Sequence, residues 1–382
     1  MTLLVGHRRR AAAEFIAVFS ERPECVWSAP GRVNLIGEHT DYNGGLCLPV
    51  AVDFRADCAV RTTGDGRLRI ASAQRPGDVV DVPLASLKPG AVTGWAAYVA
   101  GAVWQSDGQP AGLEVLVDSD IPEGAGLSSS AAVEVATLAA VSDLRGIDLA
   151  RAAQVAENDF VHVPCGLMDQ MASVLSEAGR ALLIDARDEL TTPIRFNLGH
   201  SSLLVIDTRA PHQLRDGGYA QRRQECEQAA RQLGLDWLSD ATTIDNLPGP
   251  LRERTRHVVT ENARVRAAVT ALEDGDAASL GALLTASHHS LRDDFHVSVP
   301  QLDVAVAAAL DAGALGARMT GGGFGGSVIA LANDPAQVAG RVEAAFARHE
   351  WPEPAWFEVE PADGVQRIDA EDRRTAGEPH GR

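Results

Sequence analysis

The 382-residue sequence has a single lysine, Lys88; its other basic residues are arginines. A Walker A loop and a protein-kinase site each set a lysine on the nucleotide phosphates, and a pyridoxal enzyme needs one for its Schiff base. Lys88 sits in SLKPG, a turn-like stretch with no glycine-rich loop before it, so these three chemistries are all but excluded. Any phosphate site must rely on backbone amides, arginine and a metal. Cysteine is also scarce: five residues at 25, 47, 58, 165 and 226, with no C-x-x-C pair. A disulfide framework or zinc site would need closer, patterned spacing, so a reducing compartment is expected. No uninterrupted apolar segment approaches the roughly 20 residues that span a bilayer. Near the N-terminus Glu14 interrupts the apolar stretch and no cleavage pattern follows, so an amphipathic first helix is expected rather than a targeting signal. Positive charge is in deficit as well: the net charge of -18 disfavours a nucleic-acid or anionic-membrane surface, though a local pocket can still be positive.

What is present is a globular composition, 45% hydrophobic and 23% charged, with length enough for two domains. VWSAPGRVNLIG, LCLPVAVDFRADCAVRT, LRIASA and GLEVLVDSDI read as strands, being rich in β-branched residues and flanked by turn residues. WAAYVAGAVW, ARAAQVAENDFV and LMDQMASVLSEAG read as helices, and IPEGAGLSSSAAVEVATLAAV as a strand end, a glycine turn and a helix. ALLIDARD and SSLLVIDT lie near a junction expected around 195–205. Beyond it, helices are expected over YAQRRQECEQAARQLG, 252–272, 275–290, 300–312 and 335–348, with strands in GARMTGGGFGGSVIALA and AWFEVEP. The class is α+β, with domains over 1–200 and 201–370 and a polar, disordered tail over 371–382.

Five segments carry candidate chemistry. APGRVNLIGEHTDYNGG gathers Arg32, Glu38, His39, Thr40 and Asp41 between turns expected at Pro30-Gly31 and Tyr42–Gly45. Its guanidinium, carboxylates and imidazole suit a polyol beside a phosphoryl group, or else a solvated loop. In IPEGAGLSSSAA, Gly124 and Gly126 admit close backbone approach, and Ser128, Ser129 and Ser130 open a helix whose free N–H groups attract phosphate. A serine there can ligate Mg²⁺ or serve as an ordinary cap. AENDFVHVPCGLMDQMA sets Asp169 one turn into an apolar helix, costly unless paired or working, with Glu157 able to reach the same cavity. Exposed helix faces are the plainer reading of both. The glycines around Phe324 in GARMTGGGFGGSVIAL suit a loop packed against a nucleotide or another loop. TRAPHQLRDGGYAQRRQECE sets Tyr219 at a helix start after Gly217-Gly218, for a ligand or for packing.

Together and in this order, the motifs resemble the GHMP small-molecule kinases, and GRVNLIGEHTDYN is similar to the signature that marks galactokinases among them. The resemblance runs from about residue 8 to about 370 and includes SHHSLRDDFHVSVPQLD. It implies an N-terminal domain like domain 2 of ribosomal protein S5, a ferredoxin-like C-terminal domain, and an active site between them. It further implies that Glu38, His39, Thr40 and Asp41 bind galactose, with Gly166 and Tyr219 beside the sugar. Gly124, Ala125, Gly126, Leu127, Ser128, Ser129 and Ser130 would hold the ATP phosphates, with Ser72 a weaker nucleotide match. Ser130 and Glu157 would serve Mg²⁺, Asp169 would be the catalytic carboxylate, and Arg32 the transition-state arginine. His162, where relatives carry a small residue, is a departure expected to alter the packing before Asp169. The implied reaction is ATP-dependent phosphorylation of α-D-galactose at C1, in the cytoplasm, with no protein, nucleic-acid or membrane partner. The alternatives are a kinase for N-acetylgalactosamine or arabinose, and a non-catalytic sensor of galactose and ATP. Intact SSSAA and Asp169 speak against the sensor.

Overall fold

The computed structural model describes residues 2–108, 110–210 and 215–368. The tail expected over 371–382 lies outside them. Thirteen strands make three sheets among the described residues. The first has the order β13-β1-β3-β6-β4-β5, built from β1 (Cys25–Asn34), β3 (Pro49–Thr62), β4 (Arg67–Ser72), β5 (Val80–Pro83), β6 (Leu113–Ser119) and β13 (Gln366–Ile368). Only β4 with β6 is parallel.

Both faces of this sheet are covered, and the period-2 pattern of its strands shows how. Ala56, Cys58 and Val60 of β3 face the main core, as do Val115 and Val117 of β6. There they meet α2 (Ala96–Gln105), α3 (Ser129–Val141), α4 (Gly146–Val155) and α5 (Met168–Leu175). The intervening Ala59 and Leu116 face the other way, onto Ala11 and Phe15 of α1 (Thr2–Phe19).

The second sheet, β10-β11-β9-β12, is wholly antiparallel and comprises β9 (Ser202–Ala210), β10 (Gly316–Thr320), β11 (Gly326–Ala332) and β12 (Ala355–Val359). Leu204, Ile206, Val328 and Ala330 pack on α6 (Arg215–Leu233), α7 (Gly249–Asp274), α8 (Ala277–Asp293), α9 (Pro300–Asp311) and α10 (Pro335–Arg348). Their strand neighbours Leu203, Val205, Ile329 and Leu331 join the main core instead. One apolar core therefore passes from the first half into the second. A small sheet of β2 (Leu46–Cys47), β7 (Arg180–Asp185) and β8 (Leu190–Arg195) lies alongside.

The α+β class expected from the sequence is the one observed, with local corrections. Pro30 and Gly31 form no turn: they lie inside β1, where the register with β3 slips between Pro30 and Arg32. Such a bulge re-aims the next side chain, here Arg32. Gly31 has to be glycine, because a Cβ would sit 2.5 Å from the Leu127 carbonyl oxygen. Gly217 and Gly218 lie within α6, not ahead of it. Asp169 is the second residue of α5. The short strands β5, β8 and β13 were not foreseen.

β13 is held by buried Arg55, whose guanidinium donates to the carbonyls of Asp363 (2.9 Å) and Gly364 (2.8 Å) while also bonding the hydroxyl and carbonyl oxygen of Ser28. Removing it strands several buried acceptors. Arg55→Met is expected to lower unfolding stability by about 2–4 kcal/mol in urea titration. Amide exchange should report the earliest loss of protection at 366–368; unchanged protection there would contradict this anchoring.

Candidate active site

A cleft of about 370 Å³ opens at the start of α3, lined by Gly124, Gly126, Leu127, Ser128, Ser129 and Ser130 on one side. The loop's carbonyls are tied back into the protein: Ala125 O accepts from the Ser327 hydroxyl (2.6 Å), Gly126 O from Arg32 Nη1 (2.8 Å), and Leu127 O from the Arg32 backbone N–H (3.0 Å). In a trans peptide the following N–H points opposite to the carbonyl. The amides of Gly126, Leu127 and Ser128 thus turn away from Arg32 and Ser327. Positive φ at Gly124 (81°) and Gly126 (73°) lets the chain take this path. The N–H groups of the first turn of α3 have no side-chain cap and add to an anion-binding end. Ala125 and Leu127 contribute backbone only, since their side chains are buried in the core.

Ser128 departs from the expected pattern. It takes a left-handed conformation (φ 58°), and its hydroxyl donates to Oδ2 of Asp169 rather than facing the phosphate side. Asp169 is further held by a two-point ion pair, Arg32 Nε to Oδ1 at 2.8 Å and Nη2 to Oδ2 at 2.6 Å. Burial alone would pull the Arg32 pKa down, but the charges of Asp169, Glu38 and Asp41 raise it. Asp169 keeps 25% side-chain exposure, so one flank stays open.

The sugar-signature residues cluster beside this pair, held from the second half. Oε1 of Glu38, which is buried, accepts from Gly321 N–H (2.7 Å), lies 3.2 Å from Thr320 Oγ1, and forms an ion pair with fully buried Arg318 (Nη2, 3.1 Å). Gly37 N–H donates to Glu261 (3.0 Å), and the His257 ring bonds the Glu38 carbonyl (3.0 Å). Burial pushes the Glu261 pKa up, but His257, Arg264 and Arg318 hold it at about 2. His39 has φ 60°, bonds the Tyr42 hydroxyl through Nδ1 (2.8 Å), and lies between the rings of Tyr219 and Phe295. Burial, reinforced by His257, lowers its pKa to about 3, so the ring is neutral. Burial and then the neighbouring charge of Asp169 raise Asp41 to about 6. Gly166 lies against Asp41, where a Cβ would fall 1.6 Å from Oδ2.

Thr40 does not face this space. It is fully buried, and its hydroxyl lies 2.7 Å from each of the Gly37 and Leu46 carbonyls, so its work is to fix the loop. His162, expected to disturb the packing before Asp169, is exposed and ends a π-helical turn over Ala156–Val161. The glycine loop around Phe324 packs on the start of α6, where a Cβ at Gly218 would meet the Phe324 ring at 2.6 Å.

Ser130 and Glu157 line one cleft, and Gln170 donates to Oε2 of Glu157 (2.7 Å). The pair fits a hard cation that takes its remaining oxygen ligands from phosphates and water. Among the described residues no group of three or more His, Cys, Asp or Glu side chains could cage an ion alone. Ser72 lines the same cleft, together with Trp95 and Tyr98, which the sequence reading passed over. Their three-residue spacing on a helical segment was the available signal.

The galactokinase galactose-binding signature matches residues 13–62, the GHMP kinase N-terminal domain 96–177, and the GHMP kinase C-terminal domain 268–349. A Streptomyces coelicolor galactokinase is 46% identical over 375 residues, covering 93% of this chain and 97% of its own. The chain belongs to the galactokinase family. A Mycobacterium tuberculosis galactokinase is 43% identical, covering 89% and 98%. The structure of Lactococcus lactis galactokinase complexed with galactose superposes with a TM-score of 0.89 at 29% identity, covering 94% of this chain and 99% of that one. A mevalonate kinase at 18% identity and TM-score 0.64 shares the fold.

The raised Asp41 pKa has a stability consequence for this family member. Unfolded, the carboxyl ionises near 3.8; folded, near 6. Raising the pH through that window costs folded-state stability, and the loss persists above it. Asp41→Asn should therefore melt higher than the unmodified protein at pH 8, with the difference shrinking as the pH falls and gone only well below 3.8. Equal melting curves at pH 8 would contradict the burial argument.

Proposed function

We propose that this galactokinase-family chain transfers the γ-phosphoryl group of ATP to the C1 hydroxyl of α-D-galactose, giving galactose 1-phosphate and ADP. The observation that carries the reading is the place of Asp169, bonded to Ser128 of the amide-lined loop and electrostatically linked to Asp41 of the sugar signature. Glu38, His39, Asp41 and Tyr219 would bind sugar hydroxyls, and Gly166 would leave room for Asp41 and the ring. Polar pockets of this kind reject an epimer that leaves their groups unpaired. The loop amides from Gly124 to Ser130 would hold the phosphates, with Trp95 and Tyr98 walling the cleft.

Phosphoryl transfer needs in-line placement and charge stabilisation more than covalent chemistry. Asp169 accepts the C1 hydroxyl proton, while Arg32 fixes the carboxylate and offsets charge on the moving phosphoryl group. Ser130 and Glu157 would hold Mg²⁺, which supplies Lewis-acid charge neutralisation on the phosphate oxygens. We place the enzyme in the cytoplasm, supported by its ATP dependence and five unpaired thiols. No described helix is long and apolar enough to cross a membrane.

A coupled ADP-release assay over galactose, N-acetylgalactosamine, arabinose and glucose tests the substrate. Galactose should far exceed glucose in kcat/KM, and parity between the two would sink the assignment. Asp169→Asn is expected to lower kcat by roughly 10²–10⁴ while ligand affinities shift less than about tenfold. Normal turnover in that variant would overturn the mechanism, whereas tight binding without turnover in the unmodified protein would favour a sensor. Glu157→Ala should raise the Mg²⁺ concentration needed for half-maximal rate.

A further inference from the structure

The nucleotide cleft contains one basic side chain among its described lining residues, Arg75. Lys88 and Arg32 are not among them, and Arg32 is already bonded to Asp169 and the Gly126 carbonyl. Arg75 stands on the turn after β4, which is closed by Arg75 N–H to Ser72 O (3.1 Å) and Asp78 N–H to Arg75 O (3.1 Å). Gln74 pins this turn to β6, donating to Asp118 (2.7 Å) and accepting from Ser119 N–H (3.2 Å). The backbone of Arg75 is fixed while its side chain remains 44% exposed.

Among the described residues its ion-pair partner is Glu123, whose Oε1 lies 3.2 Å from Nη2. Glu123 immediately precedes Gly124, so the pair joins the two walls of the cleft where the phosphate loop begins. Glu123 is 77% exposed, and an ion pair this open contributes only about 0–1 kcal/mol. A phosphate presents planar guanidinium with a better partner, through two-point charge-assisted hydrogen bonds. We propose that Arg75 is a nucleotide-binding residue that exchanges Glu123 for the non-transferred phosphates of ATP and ADP, with Glu123 as its built-in competitor. The proposal rests on the ATP reading above and adds to it a lysine-free cation for the phosphate chain.

Calorimetric binding of Mg-ADP and of adenosine to the full chain tests this, using Arg75→Ala, Glu123→Gln and the double variant. Turnover of the unmodified protein with ATP is measured first, so failure of the nucleotide reading itself is seen separately. Arg75→Ala should weaken ADP about 10- to 100-fold, as expected for losing one charged hydrogen-bonding partner, and leave adenosine and the galactose KM unchanged. Glu123→Gln should tighten ADP, by up to about fivefold, because the competing pair is gone. The double variant should match Arg75→Ala, since Glu123 acts only through Arg75. Arg75→Lys should restore part of the ADP affinity. Unchanged ADP affinity in Arg75→Ala would overturn the proposal. So would weaker ADP binding in Glu123→Gln, or an equal loss for adenosine, which would locate the contact at the ribose or base.

Discussion

The geometry of the site depends on where the Arg32 guanidinium and its own amide are placed. The side chain bonds both oxygens of Asp169 and the Gly126 carbonyl, and the backbone N–H holds the Leu127 carbonyl. One residue thereby sets the carboxylate and the amide-lined loop in fixed relation. Neither could shift by an ångström without the other, and reactions of this kind lose much of their rate over such a distance. The bulge at Gly31 is what aims Arg32 there, and the Leu127 carbonyl leaves no space at that position for a side chain.

The second half of the chain acts on the sugar loop mainly as a rigid support. Arg318 and the Gly321 amide hold one oxygen of Glu38, and Glu261 holds the Gly37 amide. These contacts are buried, so they keep their strength and orientation where solvent cannot compete. They also explain a strained loop in which His39 adopts a left-handed backbone. Such strain persists only when surrounding structure over-determines it, and β10 with α7 does so here.

How much could be read in advance follows from the range of each interaction. The motifs around Arg32, Gly124–Ser130 and Asp169 were legible because short glycine- and serine-rich patterns carry their own backbone geometry. The main helices and long strands were legible through hydrophobic period. The supports Arg318, Glu261 and Gln170 were not, because a buried charged residue looks like a surface one until its distant partner is known. Thr40 was misread for the complementary reason: a hydroxyl among sugar-binding residues gives no local sign that neighbouring carbonyls will hold it. Pro30-Gly31 looked like a turn because a bulge and a turn use the same residues, and only the register with β3 separates them. β5 is too short to show a period, and β8, mostly exposed with Pro193 inside it, shows no apolar alternation.

Strand β13 pairs with β1 across nearly the whole length of the chain. During synthesis the first sheet therefore emerges with the β1 edge uncovered, and that edge waits for a segment translated after the entire second half. Contacts of such separation close late and slowly, because the chain between them must first be ordered. An uncovered strand edge is also a template for pairing with other chains. The order of translation thus exposes β1, which carries the site's central arginine, to mispairing until the last strand docks.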